Sequence, residues 1–105
     1  PEQGGPVLTG RAFAIVSGAM YDAYNAVEDV GKKFLVNAPN ARGADEDAAV
    51  AQAARDTLAA LYPRQKADFD AALAATLARI PDGPAENRGR AVGRYVAARV
   101  LADRA

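Results

Sequence analysis

Thirteen basic and thirteen acidic side chains cancel over 105 residues, so no net charge draws this chain to nucleic acid or an anionic membrane. Cys and His are both absent, which excludes disulfides, thiolate chemistry, imidazole bases and imidazole metal ligands within it. Half of the residues are hydrophobic, but alanine supplies about a quarter of the chain and Trp is missing, so a single domain of this length has a thin core.

Such a core is built either by very close helix packing or by completion against another body, and the second is the expectation here. No apolar run has the length of a bilayer span, and no signal-peptide pattern is present. A first residue of Pro rather than Met reads as that of a processed product or a piece of a longer chain.

Residues 1–8 form a Gly/Pro-rich extended lead, followed by one all-α domain over 9–105. Helix 1 is predicted at about 9–30. Ala12, Ile15, Val16, Ala19, Met20, Ala23, Ala26 and Val27 repeat at i, i+3, i+4, i+7, with Thr9 as a fair N-cap and Gly31 as a stop. Its stripe of small residues, with Gly18 to one side, suits close approach by neighbours, and helix 1 is expected to be the central helix. Residues 31–43 read as a loop in which Phe34 and Leu35 tuck against helix 1; its length suits a wrap or a contact surface.

Helix 2 is predicted at about 45–62, opened by Asp45, Glu46 and Asp47 and buried along Val50, Ala54, Leu58 and Leu61. Pro63 ends it and opens helix 3 (63–80), which buries Phe69, Leu73, Leu77 and Ile80, making an antiparallel hairpin with helix 2. The turn Pro81-Asp82-Gly83-Pro84 leads into helix 4 (84–104), with Val92, Val96 and Val100 as its spine. No strand alternation is found. The fold class is all-α, about four helices, as a bundle or part of a larger one.

Candidate chemistry is sparse. Asp22, at the edge of helix 1's stripe, is a possible general base or ligand, with a hydrogen-bonded boundary carboxylate as the alternative. Tyr21, Tyr24, Tyr62 and Tyr95 read as packing residues with wet hydroxyls. The acidic trio 45–47 reads as helix capping rather than a cation site, because neighbouring helical residues do not face one another. Arg88, Arg90, Arg94, Arg99 and Arg104 make helix 4 basic, and Glu86 can pair with Arg90; an anion- or partner-binding stripe and a solvated face are both open. Gly89-x-x-x-Gly93 marks a close helix contact, within the domain or with a partner. Ser17 has no base within the chain to activate it.

The run Arg11-Ala12-x-Ala14-Ile15-Val16-x-x-Ala19-Met20-Tyr21-Asp22-Ala23-x-Asn25-Ala26 resembles the N-terminal helical signature of bacterial vanadium-dependent haloperoxidases, of the type-2 phosphatidic acid phosphatase superfamily. Residues 47–54, 58–63, 68–73 and 80–84, then a helix carrying Gly89 and Gly93, are similar to the same family in the same order, over roughly 5–104. Ser17 stands where the signature often has His.

The resemblance implies a parent that holds vanadate or phosphate with Lys, Arg, Ser-Gly donors and two histidines in a downstream helical bundle. It also suggests a bacterial periplasmic or secreted location. This chain lies before that region and supplies no catalytic, cofactor or metal residue. Arg11, Asp22, Gly89 and Gly93 are its candidate structural or interface residues. Its partner would be the downstream catalytic segment or a second chain carrying it. The alternative is a free-standing α-helical interaction module, a homodimer, without catalysis. A nucleic-acid binder is excluded by the cancelled charge and the lack of a basic surface interleaved with aromatics.

Overall fold

The computed structural model describes residues 10–28 and 45–104. Four α-helices follow one another there: α1 (Gly10–Glu28), α2 (Glu46–Leu61), α3 (Lys66–Leu77) and α4 (Pro84–Arg104). A single 3-10 turn, Pro63–Gln65, leads into α3. No strand occurs among the described residues, and no described helix is long and apolar enough to cross a membrane. The extended lead, the loop at 31–43 with Phe34 and Leu35, Thr9 and Gly31 lie outside the described residues.

Local chemistry fixes the boundaries. Asp45 stands in an extended conformation (φ −82°, ψ 125°) and its Oδ1 accepts from the Ala48 N–H at 3.0 Å, satisfying one of the free donors of α2. Glu46 and Asp47 follow in the first turn, where the helix dipole favours carboxylates. Tyr62 leaves helical geometry (φ −132°, ψ 69°) because the residue before a proline is pushed out of the α region. Pro63 then opens a 3-10 turn, so the helix predicted from 63 becomes regular only at Lys66. It gives way after Leu77 to turns closed by Arg79 N–H to Thr76 O at 3.1 Å and Ile80 N–H to Leu77 O at 3.0 Å. Gly83 turns the chain with φ 147°, open to glycine and strained for other residues, and its carbonyl accepts from the Asn87 N–H at 3.1 Å as α4 begins.

α2, rather than α1, is the hub. It packs against all three other helices, most extensively against α4, whereas α1 rests on α2 and α4 and α3 packs chiefly on α2. Small side chains on α1 do allow close approach, but the closest approach is made elsewhere. A Cβ placed on Gly89 would lie 2.5 Å from Asp45 O and 2.9 Å from Ala48 Cβ. One placed on Gly93 would lie 2.5 Å from Ala49 O and 2.7 Å from Gln52 Cβ. The two glycines therefore seat the backbone of α4 on that of α2, the close contact that their spacing predicts.

Because both partners advance by four residues together, α2 and α4 run parallel. Their starts are tied by Asp45 N–H to Ala85 O at 2.9 Å. α3 carries the chain back from the end of α2 to the start of α4, completing the predicted antiparallel hairpin with α2.

The core lies where α1, α2 and α4 meet: Ile15, Ala19, Ala23, Ala26, Ala49, Ala53, Val92, Val96 and Val100. Val92 and Val96 are fully buried, as predicted for the α4 spine. On α3, Phe69 and Leu73 are buried as predicted, and Ile80 is buried just beyond the helix; Leu77 is half-buried. On α2 the prediction needs correcting. Ala48, Ala49, Gln52, Ala53 and Thr57 are its buried residues, while Val50, Ala54, Leu58 and Leu61 are half-buried. Large side chains were expected inside, but the glycines of α4 draw the alanine face of α2 inward.

The glycines predict opposite outcomes for one substitution. Gly93→Ala should destabilise the fold by ~1–3 kcal/mol, because overpacking against backbone outweighs the helix-propensity gain of ~1 kcal/mol. Gly18→Ala, with nothing within 4 Å of the added methyl, should stabilise it by ~0.5–1 kcal/mol. Urea unfolding of the two variants beside the parent chain reads both signs.

Candidate functional site

The apolar line on α2 that the core leaves half-covered forms the floor of a groove. Val50, Ala51, Ala54 and Leu58 lie along it. Phe69, Leu73, Thr76 and Ile80, from α3 and the turn after it, form one wall, and Met20 of α1 stands opposite at one end. Two contiguous recesses sharing Ala51 and Thr76 make up the groove, of about 150 Å³ and about 400 Å³. Arg55 stands at the rim of the first, with Asp47 and Arg79 at the rim of the second. Alanines open the floor because a methyl group leaves room that a longer side chain would fill.

A hydrogen-bonded polar chain crosses α2 from α4 to α3. Arg90 Nε donates to Gln52 Oε1 at 3.0 Å, and Gln52 Nε2 donates to Asp56 Oδ1 at 2.8 Å. Asp56 also accepts from Arg55 Nη1 at 2.9 Å, and Arg55 Nε donates to Asp70 Oδ1 at 2.7 Å. Lys66 Nζ reaches Asp70 Oδ2 at 3.3 Å. Buried Gln52 is the joint, since its amide both accepts and donates and so links two charged side chains. Bonds to Asp56 and then Asp70 hold the Arg55 guanidinium more firmly protonated than usual. The Arg55 hydrogen bond, aided by Lys66, holds the Asp70 carboxyl below the usual carboxylate range. Thr57, fully buried, satisfies its hydroxyl within its own helix on Ala53 O at 2.8 Å and Ala54 O at 3.1 Å. These bonds serve structure: among the described residues no buried side-chain nitrogen or oxygen is left without a hydrogen-bond partner.

The residues singled out from sequence do not converge. Asp22 is half-buried in a recess with Gly18, Val100 and Asp103, and both Asp22 and Arg11 have interaction partners. Arg11 lies at the far end of α1, near Leu61 and Tyr62. Gly89 and Gly93 are buried against α2. Asp45 caps α2, with Glu46 and Asp47 in its first turn, and no group of three Asp or Glu placed to hold a metal occurs among the described residues.

The arginines of α4 do not make one stripe. Helical spacing sets Arg90 and Arg94 on one flank of the buried face and Arg88 and Arg99 on the other. Arg90 bonds Gln52 in place of the predicted Glu86, which is buried in the first turn of α4. Arg99 approaches the Tyr95 hydroxyl at 3.4 Å. Tyr95 packs at the edge of the core, as a packing tyrosine should, but Tyr21 and Tyr24 do not: they are 66% and 45% exposed.

Two features escaped sequence reasoning. The polar chain was foreshadowed by the i, i+4 pairs Gln52/Asp56 and Lys66/Asp70, though its crossings between helices were not. The exposed aromatics of α1 include Phe13, 61% exposed, and lie opposite its alanine stripe. Aromatic residues at helical spacing on the supposedly polar side were the available signal. No family model, curated protein or solved structure matches the chain.

The lowered pKa of Asp70 gives the pair Arg55–Asp70 a pH signature. Its contribution is complete above the ordinary carboxylate pKa of about 4 and is lost as pH falls through the lowered folded-state value. Asp70→Asn should therefore flatten the acid limb of stability between pH 5 and pH 2 (roughly the carboxylate range). Urea unfolding across that range checks it, and a limb unchanged by the substitution contradicts it.

Proposed function

We propose that this chain is a helical scaffold: the N-terminal helical portion of a vanadium-haloperoxidase-like or acid-phosphatase-like protein, whose groove along α2 receives a helix of the catalytic bundle. The observation that carries this reading is the half-covered line Val50, Ala54 and Leu58, an apolar stripe with sequence periodicity that the chain's own helices leave open. A helix laid there meets a small-residue floor and a larger apolar wall, the arrangement of helix-in-groove recognition. The ordered likeness of residues 11–26, 47–54, 58–63, 68–73 and 80–84 supports the choice of family.

The parent's chemistry would be peroxide-dependent halide oxidation with vanadate, or phosphate-ester hydrolysis without it. The residues of this chain do not fit the oxyanion. Histidine is absent, and the described arginines of α4 sit on opposite flanks rather than converging. The proposed contribution is positional, with α2 and α3 walling the bundle. A second reading, a free-standing interaction module without catalysis, is favoured by a different surface, the outward face of α1.

Native mass spectrometry of material purified from its own source tests the scaffold reading. The expected result is that these residues travel with a histidine-bearing helical body, on the same or a second chain, that binds vanadate. Ala54→Arg, which fills the groove floor, should weaken that association at least 10-fold while the circular dichroism of the scaffold is retained. The 10.9 kDa chain alone, or only in multiples of itself, would overturn it.

A further inference from the structure

We infer that the outward face of α1 is a twofold interface between two copies of this chain, with α1 packed antiparallel against α1 of the second copy. This stands apart from the scaffold reading, because it uses a different surface. In α1 the buried residues Ala12, Ile15, Val16, Ala19, Ala23 and Ala26 take one side. Helical spacing places Gly10, Phe13, Ala14, Ser17, Tyr21, Tyr24 and Glu28 on the other. Phe13, Tyr21 and Tyr24, at 61%, 66% and 45%, are the large hydrophobic side chains that stand exposed among the described residues. All three are on this face, and its one charged residue, Glu28, is at the end of the helix.

Area argues for a second copy. With ~200 Å² per ring, those exposures leave ~350 Å² of aromatic surface per copy, and a twofold axis buries it twice, ~700 Å² from six rings. Gly10, Ala14, Ser17 and the flanks bring the total toward the ~1,000 Å² that separates specific contacts from incidental ones.

Spacing argues for self-complementarity. An antiparallel axis at Ser17 sets Phe13 opposite Tyr21 of the second copy and Tyr24 opposite Gly10, where nothing lies within 4 Å of an added methyl. Rings thus meet a ring or a hollow, and two serines meet at the centre, where small side chains let the helices approach. The same axis carries each Glu28 toward the N-terminal end of the opposing α1, whose dipole favours a carboxylate. No two like charges are brought together on the face.

Sedimentation velocity on the 105-residue chain, from about 1 to 100 µM (the span in which weak specific dimers form), is the first measurement. The expected result is a species of twice the 10.9 kDa monomer mass. Tyr21→Glu should raise its dissociation constant at least 10-fold with unchanged circular dichroism, whereas Ala75→Glu on exposed α3 should leave it unaltered. Because the chain has no cysteine, Ser17→Cys reads the register independently: mild oxidation should give a covalent dimer, and Arg88→Cys should not. A monomer at every concentration overturns the proposal, as does a dimer that survives Tyr21→Glu. A dimer without the Ser17→Cys cross-link overturns the antiparallel register.

Discussion

The close approach of α4 to α2 is the contact on which the other helices depend. At Gly89 and Gly93 there is no side chain between the two backbones, so each helix presses on the other's main chain and on Ala48, Ala49 and Ala53. Dispersion between densely placed backbone atoms stands in for the large side chains this composition lacks. Once α2 and α4 are joined in this way, the cleft along one side of the pair is narrow, and only a helix as slender as α1 can settle into it. Ala19, Ala23 and Ala26 meet Ala49, Ala53 and the valines of α4 there. α3 is left with the remaining side of α2, where the larger Phe69 and Leu73 hold it at a greater distance and the groove remains open.

Much of this was legible from sequence because its causes are local. A carboxylate before a helix, a proline after one and a valine every fourth residue act within a few positions of themselves, so Asp45, Pro63, Pro84 and the α4 spine could be read directly. The role of α2 could not. Its residues are apolar nearly all round, and sequence periodicity picks out the largest of them, Val50, Leu58 and Leu61. The fold buries the smallest instead, for a reason lying about forty positions away in Gly89 and Gly93. The same distance hid the polar chain: each i, i+4 pair is visible, but not that Arg90 would turn from Glu86 to Gln52. For α1 the failure was one of emphasis, since a clean alanine stripe drew attention from the aromatic face behind it.

The molecule's chemistry is correspondingly structural. Six polar residues are drawn into one run of contacts, Arg90–Gln52–Asp56–Arg55–Asp70–Lys66, that orients helices against one another. Tyr21, Tyr24 and Ser17 lie on the outward face of α1 rather than gathered in a pocket. What the fold offers outward is shape, through a small-floored groove beside α3 and an aromatic ridge on α1.

The glycine contact also acts as a gauge of register. Alternative alignments are the usual hazard of alanine-rich helices, whose surfaces look alike from one turn to the next. Sliding α4 by one residue brings Arg88 or Arg90 against α2 where only a hydrogen atom fits. Sliding it by a whole turn presents one glycine correctly but sets Ala85 or Ala97 in the place of the other, and parts Asp45 from Ala85. Two bare positions and one backbone hydrogen bond therefore select a single alignment from a nearly degenerate set. Uniqueness here comes from atoms left out, and a chain poor in large side chains can still have one native state.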